Sequence, residues 1–405
     1  MRNRTYKMAL GSVLLACTVT VGLAAQTSGD ATPAPAPAPA ATPAATEATP
    51  PPNPLAGITS VLGGVNLTGL ADVYYGYNAN HPAGNTATEP FTPFNDRFGL
   101  NLVELQLDKP VDKTTPLGFR VALGFGQAMT AVTNASPNDG SNTSTQYLKE
   151  GYLSYMAPLG KGLQLDFGKY VTPAGAEVIE TNQNWNYSRS LLFYYAIPYY
   201  HFGSRAKYTF NDKWSITGFA NNGWNNILSA TSGKTGGASI AWNATKKVTI
   251  TQLYLGGPGG PGFSGNNGNW NHLLDTVVAY NPNAKLSLQA NLDYDHQEKF
   301  IATGKAADYA GIAAYAKYAF NPKVAVAARY EYFNDHDGLA TGTVHNHLNE
   351  FTGTIERKFA GHLISRLEYR HDDSNQDFFQ RGAPSFVKGQ TTIDAGLVFV
   401  LEPAQ

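Results

Sequence analysis

The residues that could act on a solute are concentrated in one stretch. It runs from Thr172-Pro173-Ala174-Gly175-Ala176-Glu177-Val178-Ile179-Glu180 through Thr181–Ser190 to Leu191-Leu192-Phe193-Tyr194-Tyr195. The stretch mixes carboxylates, amides, one arginine and an apolar-aromatic run. Apolar side chains at the tip of a solvent-exposed loop are unfavourable, so the segment is expected to pack against a larger surface. One reading folds it into a lumen, where Glu177, Glu180, Asn182, Asn184, Asn186 and Arg189 line a constriction. The other has it cap a barrel mouth or pack at a subunit contact.

A second set of charges recurs at every other residue. Arg366-x-Glu368-x-Arg370 share one strand face, as do Arg329-x-Glu331, and Arg120, Arg205 and Lys207 sit at similar alternating positions. A charged side chain facing lipid at mid-depth costs about 2–4 kcal/mol, so these groups are expected to line a wet lumen wall. The same face also takes Asp72, Asp166, Asp275, Asp293, Asp295, Lys317, Glu356 and Asp394. Both signs are present. The set reads either as a field that orients polar solutes or as a mutually neutralised structural network.

Other candidates are weaker. Asp335, His336, Asp337, His345 and His347, and separately His371, Asp372 and Asp373, match no EF-hand or zinc spacing, so no metal is expected. Gly124-Phe125-Gly126 is a broken nucleotide fingerprint with no helix expected after it. No Ser/His/Asp set stands out, and the chain reads as neither an enzyme nor a cofactor protein. A lipid-facing lipase triad is the remaining catalytic alternative.

The elements that must position these groups are strands. Alternation is plain at Leu286, Leu288, Ala290, Leu292 and Tyr294, with Ser287, Gln289, Asn291 and Asp293 between them. It recurs at Val324–Tyr332 and Phe119–Phe125. Sixteen such segments are expected: near 64–78, 97–108, 117–129, 147–157, 163–171, 201–210, 214–221, 236–243, 248–256, 271–281, 286–296, 308–320, 324–333, 347–359, 363–371 and 389–401. Those near 97–108, 147–156 and 248–256 require a register shift or a bulge. Short connections carry turn chemistry, as in Asn211-Asp212-Lys213, Asn243-Ala244-Thr245, Asn281-Pro282-Asn283, Asn321-Pro322-Lys323 and Ala360-Gly361. Long ones, at 79–96, 130–146, 172–200, 222–235, 257–270, 297–307, 334–346 and 372–388, alternate with them. Aromatic residues gather at strand ends, Tyr75, Tyr254, Tyr294 and Tyr330 at one end and Tyr155, Tyr208, Tyr280 and Phe320 at the other. Two interfacial belts account for that placement. The fold class is therefore an all-β transmembrane antiparallel barrel of sixteen strands, with short periplasmic turns and long extracellular loops.

Composition agrees. The 405 residues hold 29 Lys+Arg and 30 Asp+Glu, only 15% charged, with Tyr 23, Phe 20 and Gly 41. Near-neutral charge excludes a nucleic-acid partner. Mean hydropathy is −0.27 and no long apolar run follows the N-terminus, which excludes a helical membrane protein. The lone Cys17 excludes an intrachain disulfide. Residues 1–25 read as a signal peptide, with Arg2, Arg4 and Lys7 ahead of an apolar stretch and cleavage near Ala24 or Ala25. Lipoprotein processing at Cys17 is the rival. Residues 26–56 read as a Pro/Ala-rich disordered linker and 57–405 as the barrel domain.

Several motifs together carry a family resemblance. They are Gly168-Lys169-Tyr170-Val171-Thr172-Pro173-Ala174-Gly175-Ala176-Glu177, Asn186-Tyr187-Ser188-Arg189-Ser190, His201-x-Gly203-x-Arg205-x-x-Tyr208 and Asn222-Gly223-Trp224-Asn225-Asn226. Over about residues 57–400 the chain resembles the OmpL-like beta-barrel porin family of bacterial outer membranes. The Gly-Lys…Pro…Glu…Arg-Ser order is more distantly similar to phosphate-selective porins. The resemblance implies a passive outer-membrane porin for small hydrophilic solutes or ions. It brings no established binding residues. Outer-membrane lipid, lipopolysaccharide and the barrel assembly machinery are the implied partners, with a homotrimer by analogy. A surface adhesin or structural barrel with an occluded lumen is the alternative. Such barrels usually end on an aromatic residue used in assembly, whereas here the chain continues past Phe399 to Leu401-Glu402-Pro403-Ala404-Gln405.

Overall fold

The computed structural model describes residues 64–134, 145–228, 232–260, 266–359 and 362–401. The expected signal peptide with Cys17, the 26–56 linker, the Ala360-Gly361 turn and the tail after Leu401 lie outside them.

Sixteen strands pair with their chain neighbours into a closed antiparallel barrel. They are β1 (Asn66–Asn78), β2 (Arg97–Lys109), β3 (Leu117–Phe125), β4 (Leu148–Ala157), β5 (Leu163–Val171), β6 (Tyr200–Thr209), β7 (Trp214–Asn221) and β8 (Thr235–Asn243). Then follow β9 (Val248–Pro258), β10 (Trp270–Tyr280), β11 (Leu286–Gln297), β12 (Ala307–Asn321), β13 (Val324–Asp335), β14 (Asn346–Phe359) and β15 (Leu363–Ser374). A small hairpin, β16 (Phe379–Arg381) with β17 (Ser385–Val387), interrupts the last long loop. β18 (Gly389–Leu401) closes the ring against both β15 and β1.

Closure leaves no free edge among the sixteen barrel strands, which a chain in lipid requires. The outer wall exposes Leu153, Phe167, Leu292, Tyr330, Ile355 and Leu367. At the short-turn end Tyr155, Phe210, Trp214, Tyr280, Tyr318 and Phe320 are exposed, and Phe125, Tyr254, Tyr294 and Tyr369 at the other. Trp214 and Trp242 stack across the β7–β8 pair with centroids 5.1 Å apart.

Two departures from the sequence reading have physical causes. The strand expected over 117–129 stops at Phe125, and Gln127–Asn134 forms helix α1. Gly126 turns the chain with φ +116, and a Cβ there would meet the carbonyl oxygens of Asn101 and Leu100. α1 then packs Met129 beside Leu102 and Gly124 inside the barrel. Register shifts do occur where β2 and β4 pair, at Asp72/Val73 and Ala122/Leu123. The β9 segment needs none. There Leu253 and Leu255 are buried while Tyr254 is exposed on the outer wall, so the apolar residues of this strand face inward. The alternation is blurred because the lumen at that height is filled with protein.

That filling is the hydrophobic core. Phe91, Phe193 and Tyr199 meet edge-on or tilted at centroid distances of 5.4–5.6 Å. Tyr195 stacks on Phe333 at 5.6 Å, and Leu191 and Leu192 are fully buried.

Candidate pore constriction

The segment between β5 and β6 is closed at its neck by Thr172 N–H donating to the Tyr199 carbonyl, 2.9 Å. Within it the Asn184 side chain holds both the N–H and the C=O of Val178, at 2.9 and 2.8 Å. Arg189 donates to the carbonyls of Val178, Tyr187 and Ile179, and its guanidinium lies 5.1 Å over the Phe91 ring. Ser190 Oγ accepts from Phe193 N–H at 2.9 Å and starts the turn of Leu192–Ala196. These local bonds give the loop its own fold. They do not give it a place.

Its place comes from the far wall. In the sixteen-place ring, β6 and β14 are eight places apart, as are β5 and β13. The loop leaves from the first of each pair and is fastened to the second. Arg366 on β15 donates to the carbonyls of Thr181, Asn184 and Asn186 at 2.6, 2.7 and 3.1 Å. Glu368 accepts the N–H groups of Tyr187 and Ser188, at 2.5 and 2.7 Å. Arg370 donates to the Arg189 carbonyl at 2.6 Å. Glu331 on β13 accepts from Leu191 and Leu192 at 2.9 and 3.2 Å. Arg329 reaches Glu177 and the Ser188 carbonyl, both at 2.9 Å, and Glu350 at 3.0 Å. The loop therefore crosses the full width of the barrel. Its backbone groups, which irregular structure leaves without a ladder, are paired by wall side chains.

Two further contacts hold it. Tyr187 Oη donates to Asp72 on β1 at 2.7 Å, and burial pushes this phenol well above its ordinary pKa, so it stays a donor. Lys149 on β4 bridges Glu180 on the loop to Glu104 on β2, the latter at 2.6 Å. From above, loop 79–96 folds inward as well. Phe91 covers Arg189 and Phe193, and Glu89 accepts from Thr92 and Thr392 hydroxyls at 3.1 and 2.9 Å. Burial pushes Glu89 up to about 7, against the opposing pull of Arg370.

The six loop residues singled out by sequence are all on this crossing segment, but in different settings. Glu177 and Asn186 are buried against the wall, Asn186 donating to Thr354 at 2.7 Å. Asn184 and Arg189 are buried within the loop's own bonds. Arg189 thus acts as a staple, not as a group facing the open lumen. Glu180 and Asn182 are half-buried, and beside them Gln183 is exposed and Trp185 half-buried. Gln183 and Trp185 were not picked out from the sequence.

The eight wall residues divide in two. Arg329, Glu331, Arg366, Glu368 and Arg370 are buried beneath the loop. Arg120, Arg205 and Lys207 lie on the β3–β6 side and keep contact with solvent. Sequence reasoning also missed Lys149, Tyr187, Glu89 and Phe91 as fasteners. The one cue was Pro90-Phe91-Thr92-Pro93-Phe94, an aromatic pair between prolines in an otherwise polar loop.

The histidine and aspartate groups have other duties. Asp335 accepts the N–H groups of Leu339, Ala340 and Thr341, and Asp372 pairs with Arg370 at 2.8 Å. Among the described residues no group of three or more His, Cys, Asp or Glu is arranged to hold a metal ion.

Comparison with known proteins places this arrangement. The model of the family described as "Putative beta-barrel porin-2, OmpL-like" matches residues 64–401. No curated relative matches the sequence at a significant level. Solved structures with the same fold include an anion-selective porin from Comamonas acidovorans, with TM-score 0.57 and 11% identity over 83% of this chain and 99% of that one. The trimer form of the outer membrane protein OmpT of Vibrio cholerae has TM-score 0.53 and 12% identity over 83% and 98%. The outer membrane channel DcaP of Acinetobacter baumannii has TM-score 0.52 and 12% identity over 83% and 97%.

Proposed function

Because the chain belongs to the OmpL-like beta-barrel porin family and is an outer-membrane porin, we propose that it passes small hydrophilic solutes or ions passively, through a bore set by loop 172–200. No bond is made or broken in transport. The wall supplies a polar surface, and the loop supplies the width. The observation that carries this reading is the attachment of the loop across the diameter, from β5–β6 to Arg329, Glu331, Arg366, Glu368 and Arg370. A loop held by so many charge-assisted bonds keeps one position, as a size filter must.

The exposed apolar outer wall and its two aromatic belts suit outer-membrane lipid, with lipopolysaccharide around the long-loop end. Insertion then calls for the barrel assembly machinery. The trimeric state of the Vibrio cholerae protein supports a homotrimer here by analogy of fold.

Planar-bilayer recording of the refolded protein tests the proposal. Discrete conductance steps are expected, and larger steps with weaker solute blockade after removal of 178–190. Absence of any conductance rejects a solute pathway, and unchanged blockade after the removal rejects the loop as its narrow point.

A further inference from the structure

The near-zero net charge conceals a charge axis. Each of six short turns carries an exposed lysine: Lys113 after β2, Lys161 after β4, Lys213 after β6, Lys247 after β8, Lys285 after β10 and Lys323 after β12. The acids in those turns are Asp112 and Asp212. Asp112 accepts the Thr114 hydroxyl and the N–H groups of Thr114 and Thr115 at 2.6–2.7 Å, bonds that hold its pKa below the usual range and keep it ionised, so the six lysines stand against two carboxylates. Short turns are periplasmic in such barrels, so the periplasmic mouth is ringed with positive charge.

The lumen wall above that mouth continues the sign. Arg120 and Arg205 face one another across Tyr152, 5.9 and 4.9 Å from its ring centre, and Arg205 also lies 4.7 Å over Tyr170. Arg205 is tied through Nε to Asp166 at 2.6 Å, and Arg120 through Nε to Asp108 at 2.8 Å with Glu150 3.6 Å from its Nη1. The guanidinium side chains are 33% and 22% exposed, whereas Asp166 is 2% and Glu150 4%. Asp108, at 20%, is the acid nearest to them in exposure. The wall carboxylates therefore sit mostly behind the guanidiniums and orient them, while the cationic faces meet the water. Lys207, in register with Gln164 and Thr217 one step toward the mouth, is exposed. The opposite wall cannot offset this sequence of charges, because its arginines and glutamates are buried under loop 172–200. In a narrow, low-dielectric passage the nearest exposed charge dominates the potential that a permeant ion meets.

We infer that the pore selects small anions, carboxylates or phosphates among them, through a cationic lane running from the turn lysines past Lys207 to Arg205 and Arg120. This rests on the solute-pathway reading above and specifies its substrate class. A guanidinium held by Nε, as Arg205 is, can donate its remaining N–H groups to an anion's oxygens in fork geometry.

The test is the reversal potential of the refolded full chain in a KCl gradient. Chloride is expected to be more than about twofold as permeant as potassium at ~0.1 M salt. The part due to the turn lysines is expected to weaken at ~1 M, where the Debye length falls from about 10 to 3 Å. R120Q/R205Q should bring the ratio close to one while the heat-dependent gel mobility shift of the folded barrel stays. K161Q/K213Q/K247Q should lower the preference at low salt only. A conducting wild type with a potassium-side or zero reversal potential overturns the inference and leaves the pore intact. So does an R120Q/R205Q channel with an unchanged ratio. Absence of conductance overturns the pore reading, and this inference with it.

Discussion

Arg329 and Glu177 form an ion pair 2.9 Å long between residues 152 positions apart in the chain. Arg329 belongs to the wall strand β13 and Glu177 to the loop that leaves the opposite wall. Glu331 and Glu350 share the same guanidinium at 3.1 and 3.0 Å. One cation thus pairs with carboxylates from the loop and from two neighbouring strands.

Removing that cation should be severe. R329Q leaves three buried carboxylates short of their partner, a situation that typically costs about 3–5 kcal/mol. The expected outcome is a lowered temperature for the heat-dependent gel shift and a noisier, larger conductance. Restoring balance with E177Q should recover part of the loss, since the two sites are coupled. A double variant no more stable than R329Q would show that the loop contact contributes nothing.

Two wall glycines exist to admit the loop. A Cβ on Gly396 would collide with the Tyr187 ring, and one on Gly311 with Leu192. G396A is expected to push Tyr187 off Asp72, at about 1–3 kcal/mol of overpacking. Single-channel recording should then show a wider and more variable pore from a barrel that still folds. An unaltered channel from G396A/G311A would mean that the loop is not held in this position.

Loop 79–96 should respond to pH. Glu89 sits among Arg370, Asp372, Glu368 and Asp394, and burial raises its pKa from an ordinary 4.5 to about 7. The docked loop therefore holds the proton more tightly than the undocked one. Docking is strongest below about pH 4.5 and weakens as pH rises through about 7. Hydrogen exchange of the amides of 79–96 should be slower at about pH 5.5 than at about pH 8, after correction for intrinsic rates. E89Q should flatten the difference, and persistence of the full difference in E89Q would assign it to another group.

Arg366 tests geometry apart from charge. Its fork serves the carbonyls of Thr181, Asn184 and Asn186 together with Glu356 at 2.6 Å. An ammonium is a point donor and cannot span that set. R366K is expected to raise conductance and current noise while the temperature of the gel shift moves little. R205K, whose parent lies away from the loop's anchors, should leave noise unchanged. Equal effects of the two substitutions would count against a special hold by Arg366.

How much could be read in advance differs by element. The strand set was legible because each strand is a local signal of period two, and the bounds found for β7, β11 and β18 lie within a residue of those expected. The apolar run Leu191–Tyr195 likewise betrayed a loop that must pack. Helix α1 was not legible, since Gly126 reads as one more residue of the 117–129 strand until the carbonyls of Leu100 and Asn101 on the adjacent strand crowd it. The inward Leu253 and Leu255 misled for a similar reason: alternation says which residues share a face, and not whether that face meets water or protein.

The same distinction separates the charged residues. The sequence alone determined that Arg120, Arg205, Arg329, Arg366 and Arg370 sit on strands and share the polar face, because the pleat sends successive side chains to opposite sides. Only the tertiary structure decided that the last three are covered anchors and the first two remain in contact with water. A side chain's direction follows from its own strand. What it points at is set by a segment more than a hundred residues away, and by the barrel closure that brings that segment across.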